Sequence, residues 1–144
     1  MLKAHVSFAF ETVGSTEEKL DFIKKVKGDG YRIDLIYVTL NDPQLCLERI
    51  KERVSKGGHD VDPEKVIARY KRSMNNLYKF VELADTAMIV DNSNETEIIF
   101  FESGTKCGIL NVEQYKWIDK YIDRLKGIKK FTKSEDMFSF VLHQ

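Results

Sequence analysis

The sequence predicts an α/β protein, and three observations predict it. Short apolar runs alternate with stretches of helical period. Glycine, proline and Asx signals separate them. The order reads strand, helix, strand, two helices, strand, which is the alternation of a mainly parallel sheet with flanking helices. In such sheets ligands sit at the carboxyl ends of the strands. The chain has 144 residues, enough for one domain with its own core.

Residues 5–10 (HVSFAF) alternate apolar and small side chains and read as a buried strand, ending at Glu11-Thr12. Ser15 or Thr16 is placed to cap a helix whose first turn holds Glu17 and Glu18. That helix presents Leu20, Ile23 and Val26 and stops at Gly28 or Gly30. Residues 31–40 (YRIDLIYVTL) form the strongest strand, with a continuous apolar centre at 35–38 that predicts cover on both faces. Asp42-Pro43 opens a second helix, with Leu47, Ile50 and Val54 as its stripe and Gly57-Gly58 as its end. After the loop 59–62, Pro63 begins a third helix, whose face is Val66, Tyr70, Met74, Leu77 and Val81. Residues 86–90 (TAMIV) and 97–101 (EIIFF) are strands, and 107–110 is a short fifth. Tyr115, Ile118, Ile122 and Leu125 line a last helix that closes at Gly127. The stretch 131–144 shows no clear period and is left unassigned.

Composition narrows the function. Lys+Arg and Asp+Glu both number 23, so any use of charge must be local. That balance, and the few aromatics among the basic residues, speak against nucleic acid as a partner. Cys46 and Cys107 form no CxxC pair, and His5, His59 and His143 are scattered, so no metal site is expected. No apolar run approaches the ~20 residues of a membrane span, and the N-terminus lacks the order of a signal peptide. A cytoplasmic location follows as the expectation.

The densest charge lies between positions 49 and 72, with eight basic residues against four acidic ones. Arg49 and Arg53 share one helix face, and Arg69 and Arg72 share another. A fold-back at Gly57-Gly58 would let the four guanidinium groups converge on one anion, and arginine forks suit phosphate. The competing reading is a solvated basic face. Glu11 either serves a substrate hydroxyl, a metal or a base role, or caps the following helix. His59 either touches a phosphate or shapes the turn. Asp91-Asn92-Ser93 either lines a nucleotide-base pocket or is a turn.

These segments resemble the zeta-toxin family of P-loop kinases, in the branch described as predicted ATPases. The resemblance is carried by FAFET at 8–12, GYR at 30–32, LER at 47–49 and Arg53. It continues through GGHDV at 57–61, Arg69-Tyr70, Arg72-Ser73, Asn76-Leu77, LAD at 83–85 and DNS at 91–93, in family order. It implies a P-loop-kinase-like fold with a helical lid hairpin, and an ATP- and Mg-dependent kinase acting on a small molecule. It implies that Glu11 and Thr12 help bind the acceptor. Arg53 and Arg69, with Arg72 beside them, would reach the ATP phosphates. His59 would lie in the hairpin turn, and Asp91 and Asn92 near the base.

None of the eight glycines is followed by lysine, so these residues hold no GxxxxGK[ST] loop. Val13 and Ala68 stand where a second threonine and a second arginine are common. The expectation is a partial kinase domain over 1–126, missing the P-loop strand, with a tail of unknown role over 127–144. That strand is central in the family sheet, so its absence is expected to expose strand edges. Without loop and base the chain is expected to be inactive alone. The alternatives are one half of a split kinase, completed by a P-loop-bearing partner, and a non-catalytic anion-binding or toxin-related module with an antitoxin as partner.

Overall fold

The computed structural model describes residues 6–11 and 16–143. Helix α1 spans Glu17–Gly28, strand β1 Asp34–Thr39, helix α2 Pro43–Ser55 and helix α3 Pro63–Leu83. Strands β2 (Thr86–Asp91), β3 (Glu97–Ser103) and β4 (Lys106–Leu110) follow. A 3-10 turn at Glu113–Ile118 runs into the short α4 (Asp119–Ile122), then β5 (Ile128–Phe131) and α5 (Ser134–Leu142).

The strands form one sheet in the order β1-β2-β3-β4-β5. The α/β class is as expected, and the sheet is mixed. The pairs at the two flanks, β1 with β2 and β4 with β5, are parallel. The two central pairs are antiparallel because tight turns join β2 to β3 and β3 to β4. No gap separates β1 from β2: they pair directly, from Asp34 opposite Thr86 to Thr39 opposite Asp91.

Strand alternation sorts side chains onto two faces. Leu35, Tyr37 and Thr39 share a face with Ala87, Ile89 and Asp91. Helix α3 covers that face, with Met74, Leu77 and Val81 buried and the Thr39 hydroxyl against Met74 Sδ at 3.2 Å. The opposite face carries Met88, Phe101 and Gly108. Helix α5 covers β3 to β5 there, with the Phe138 ring 5.1 Å from that of Phe101. Only glycine suits position 108, where a Cβ would stand 2.8 Å from Met137 Cγ and 3.0 Å from Phe131 Cε2. Ile89, Ile99 and Phe100 are wholly buried, each contributing roughly 1.5–3 kcal/mol.

Four expectations change. The expected strand at 5–10 is not one in its described part: residues 6–10 pair with no strand, and Val6 and Phe10 are exposed. A strand is held by its ladder, and this segment is held by side chains instead. The Tyr31 hydroxyl donates to Val6 O at 3.3 Å, and the Phe8 and Phe10 rings meet Tyr31 and Phe22 edge-on. Strand β1 is covered on one face only: Ile36 is 68% and Val38 59% exposed, because α5 stops at β3. The expected last helix is the 3-10 turn followed by α4. The unassigned end forms β5 and α5, with Met137 and Val141 wholly buried.

Candidate functional site

The hairpin of α2 and α3 is built by local signals. The Asp42 side chain caps α2, accepting from the Gln44 amide at 2.9 Å, with Pro43 in the first turn. Asp62 caps α3 the same way, accepting from the Glu64 amide at 3.0 Å. Between them Gly57 has φ +95, and a Cβ on Gly58 would lie 2.9 Å from Arg53 O. The glycine pair thus closes the turn tightly against α2.

A cavity of about 440 Å³ lies between this hairpin and the carboxyl end of β1. Arg53 of α2 and Arg69 of α3 line it together, and all of residues 36–40 of β1 and its exit border it. Among the described residues neither arginine is held in an ion pair. Tyr37, Ser73, Tyr70 and Cys46 supply the other polar walls, over an apolar floor that includes Ile50 and Val66. Burial pushes the Tyr37 phenol up to about 12, an effect the nearby Ser73 side chain only partly opposes. The buried Tyr37 hydroxyl has no hydrogen-bond partner of good geometry. The Tyr70 hydroxyl donates to Leu40 O at 2.7 Å, tying α3 across the end of β1. Burial raises the Tyr70 phenol as well, and likewise the Cys46 thiol, where the Arg49 charge opposes it in part.

Arg49 has a different task. Its Nη2 donates to Asn92 O at 2.6 Å and to Ser93 O at 3.2 Å, clamping α2 to the turn after β2. That turn is held in its own right. Asp91, buried, accepts from the Ser93 amide at 2.9 Å. The Asn92 amide donates to Thr39 O at 2.9 Å, and Ser93 Oγ accepts from the Asn41 amide at 2.8 Å. The four arginines therefore do not converge. Arg53 and Arg69 share the cavity, Arg49 is spent on carbonyls, and Arg72 is exposed on α3 outside the lining.

The other expected site residues stand apart from the cavity walls. His59 is exposed beyond the glycine turn, and Asp91 and Asn92 shape the turn after β2. Glu11 is exposed at the end of the described segment 6–11, and Thr12 lies outside the described residues. Among the described residues no group of three or more His, Cys, Asp or Glu could hold a metal ion. No described helix is long and apolar enough to cross a membrane. Tyr37, Tyr70 and Ser73 are walls to which the sequence reading gave no site role. Tyr70 stood in the apolar stripe of α3, and Tyr37 in the apolar centre of its strand.

A sheet whose edge strand ends beneath a two-helix hairpin, with Arg53 and Arg69 lining the cleft between them, defines an α/β protein. The Zeta toxin family model matches residues 1–103, and the chain belongs to that family. The family is generally nucleotide-binding, which points to a kinase-like or toxin-related function. The chain is also 33% identical over 69 residues to an uncharacterized protein of Haemophilus influenzae. That match covers 48% of this chain, which thus spans about half (49%) of the relative's length. No solved structure matches the chain.

Proposed function

We propose that the cavity between the hairpin and β1 binds the phosphates of a nucleotide, ATP first among them. The chain would then be the lid-bearing part of a small-molecule kinase of the zeta-toxin type. The observation that carries this reading is the meeting of Arg53 and Arg69, both without ion-pair partners, in one cavity at a strand's carboxyl end. Two guanidinium forks fit phosphate oxygens and would offset the charge that builds up when a phosphoryl group moves. Magnesium would arrive with the nucleotide. Glu11 and Thr12 would face the acceptor, as the family resemblance implies, with His59, Asp91 and Asn92 around the nucleotide.

Phosphoryl transfer also needs a phosphate cradle and a positioned nucleophile. These 144 residues hold no GxxxxGK[ST] loop, so the transfer step calls for a segment that bears one, in the same protein or in a partner chain. The partners under this reading are that chain and an antitoxin, and the setting is the cytoplasm. A second reading, a non-catalytic anion-binding module, is favoured by one observation: among the described residues no Asp, Glu or His lines the cavity to act as a base.

Titration calorimetry with Mg-ATP tests the binding. Each charge-assisted contact contributes about 1.5–3 kcal/mol, so Arg53→Ala and Arg69→Ala should each weaken binding by roughly tenfold or more. Arg72→Ala should leave it unchanged. No heat from a folded chain at millimolar ATP would refute the reading.

A further inference from the structure

Helix α3 carries Arg69 into the cavity on one side and is gripped from the other. Arg69 and Tyr78 are nine residues apart, which is about two and a half turns, so they stand on opposite sides of the helix. Tyr78 meets Arg124, two residues past α4. Arg124 Nη1 donates to the Tyr78 hydroxyl at 2.6 Å, and its guanidinium carbon lies 4.8 Å from the centre of the same ring. The arginine thus holds the tyrosine by its oxygen and by its face. A second contact lies nearer the cavity. Burial first, and the neighbouring Tyr121 phenol of α4 after it, raise the Tyr70 phenol, so α4 also reaches the turn of α3 that bears Arg69.

The support behind α3 is itself fixed. Ile118 and Ile122 are buried in the same core as Met74, Leu77 and Val81 of α3. The Leu125 amide donates to Ile122 O at 3.0 Å, which carries the turn past Arg124. Apolar burial is non-directional: it keeps α3 on the sheet but resists a roll about the helix axis only weakly. A hydrogen bond and a stacked cation on the far side are directional and oppose that roll. The roll is the motion that would swing Arg69 away from the cavity. The brace reaches α3 from outside residues 1–103, the stretch that carries the family match.

We propose that Arg124 is a positioning residue of the cavity: by gripping Tyr78 from behind, it fixes the rotation of α3 and so the direction in which Arg69 meets a phosphate. The inference rests on the nucleotide reading and extends it beyond the cavity walls. An arginine held in place loses less freedom on binding than one on a rolling helix, so the brace acts on affinity.

Mg-ATP titration calorimetry of the full chain tests it. Arg124→Ala should weaken binding by about three- to fivefold. Arg124→Lys keeps a cation over the ring and should restore part of the loss. Tyr78→Phe keeps the ring without the hydroxyl and should weaken binding by about twofold; it decides alone if Arg124→Ala fails to fold. Lys106→Ala is the control. Lys106 makes the same kind of contacts on the opposite face of the sheet, 4.9 Å from the Phe140 ring centre and 2.6 Å from His143 O. Its loss should leave ATP affinity unchanged. Equal affinity in Arg124→Ala and the unsubstituted chain overturns the proposal, and so does an equal loss in Lys106→Ala. Hydrogen exchange without ligand separates the two readings. The α3 amides from Glu64 to Ser73 should exchange faster, on the order of fivefold, in Arg124→Ala and not in Lys106→Ala. Faster exchange in a chain that binds no ATP keeps the brace while the nucleotide reading falls. Unchanged exchange overturns the brace, whether or not ATP binds.

Discussion

Glu102 sits at the end of β3 with one carboxylate oxygen buried and without a hydrogen-bond partner. Burial pushes its carboxyl up to about 7, and Lys27 of α1 opposes this in part. A carboxyl raised by folding holds its proton more tightly in the folded chain. Stability therefore falls as pH climbs from the ordinary carboxylate range to about 7, and levels off above. Glu102→Gln should raise the melting temperature at pH 8 by on the order of a few degrees and change little at pH 4. Thermal melts of both proteins at the two pH values check it. Nothing in the sequence marked Glu102, which follows the predicted strand at 97–101 with no motif beside it. Its burial comes from helices packed over the sheet, which no local pattern encodes. Arg53 and Arg69 were legible, since helical spacing and a glycine turn are local facts. The separate fate of Arg49 was not, since its carbonyl partners lie more than forty residues away in the chain.

The α2–α3 hairpin sets the distance between the two cavity arginines, so its turn and its clamp control the site. Gly58→Ala would push a Cβ against Arg53 O, where backbone and not a flexible side chain must give way. It should destabilise the chain by about 1–3 kcal/mol and weaken ATP binding, as denaturant melts and calorimetry would show. Arg49→Ala should weaken ATP binding several-fold although Arg49 lines no part of the cavity, with Arg49→Lys restoring part of it. An unchanged affinity would show that the hairpin keeps its place without the clamp. Helices α2 and α3 were readable close to their starts, and α2 to its end, because the Asp-Pro pairs and the Gly-Gly stop flank them directly. Helix α5 was not. Met137 and Val141 are buried, while Phe138 and Phe140 pack against Phe101 and Phe131, so the helix is apolar on several sides and shows no stripe.

Across the whole molecule, β5 and α5 complete one face of the sheet. Without them Phe101 and Gly108 would lose cover. A chain cut after residue 126 should lose its cooperative thermal transition and bind a hydrophobic dye, as circular dichroism and dye fluorescence would report. A retained sharp transition would show that this end is dispensable. The α/β class could be read from the order of the elements. The mixed sheet could not, because the turns that make β2, β3 and β4 antiparallel fix direction only once their pairings are known. The single-sided cover of β1 was equally hidden, since an apolar run looks the same whether one face is covered or two.

The parallel join of β1 to β2 has a consequence during synthesis. Thr39 leaves the ribosome well before Thr86, its partner strand's first residue, and at ordinary translation speeds the interval is roughly two to ten seconds. Through that interval β1 travels on the nascent chain without β2. The meander of β2, β3 and β4, joined by short turns, can close as soon as it emerges. The meander, made after β1, is thus able to form before β1 joins it, and the strand made early waits for its partner.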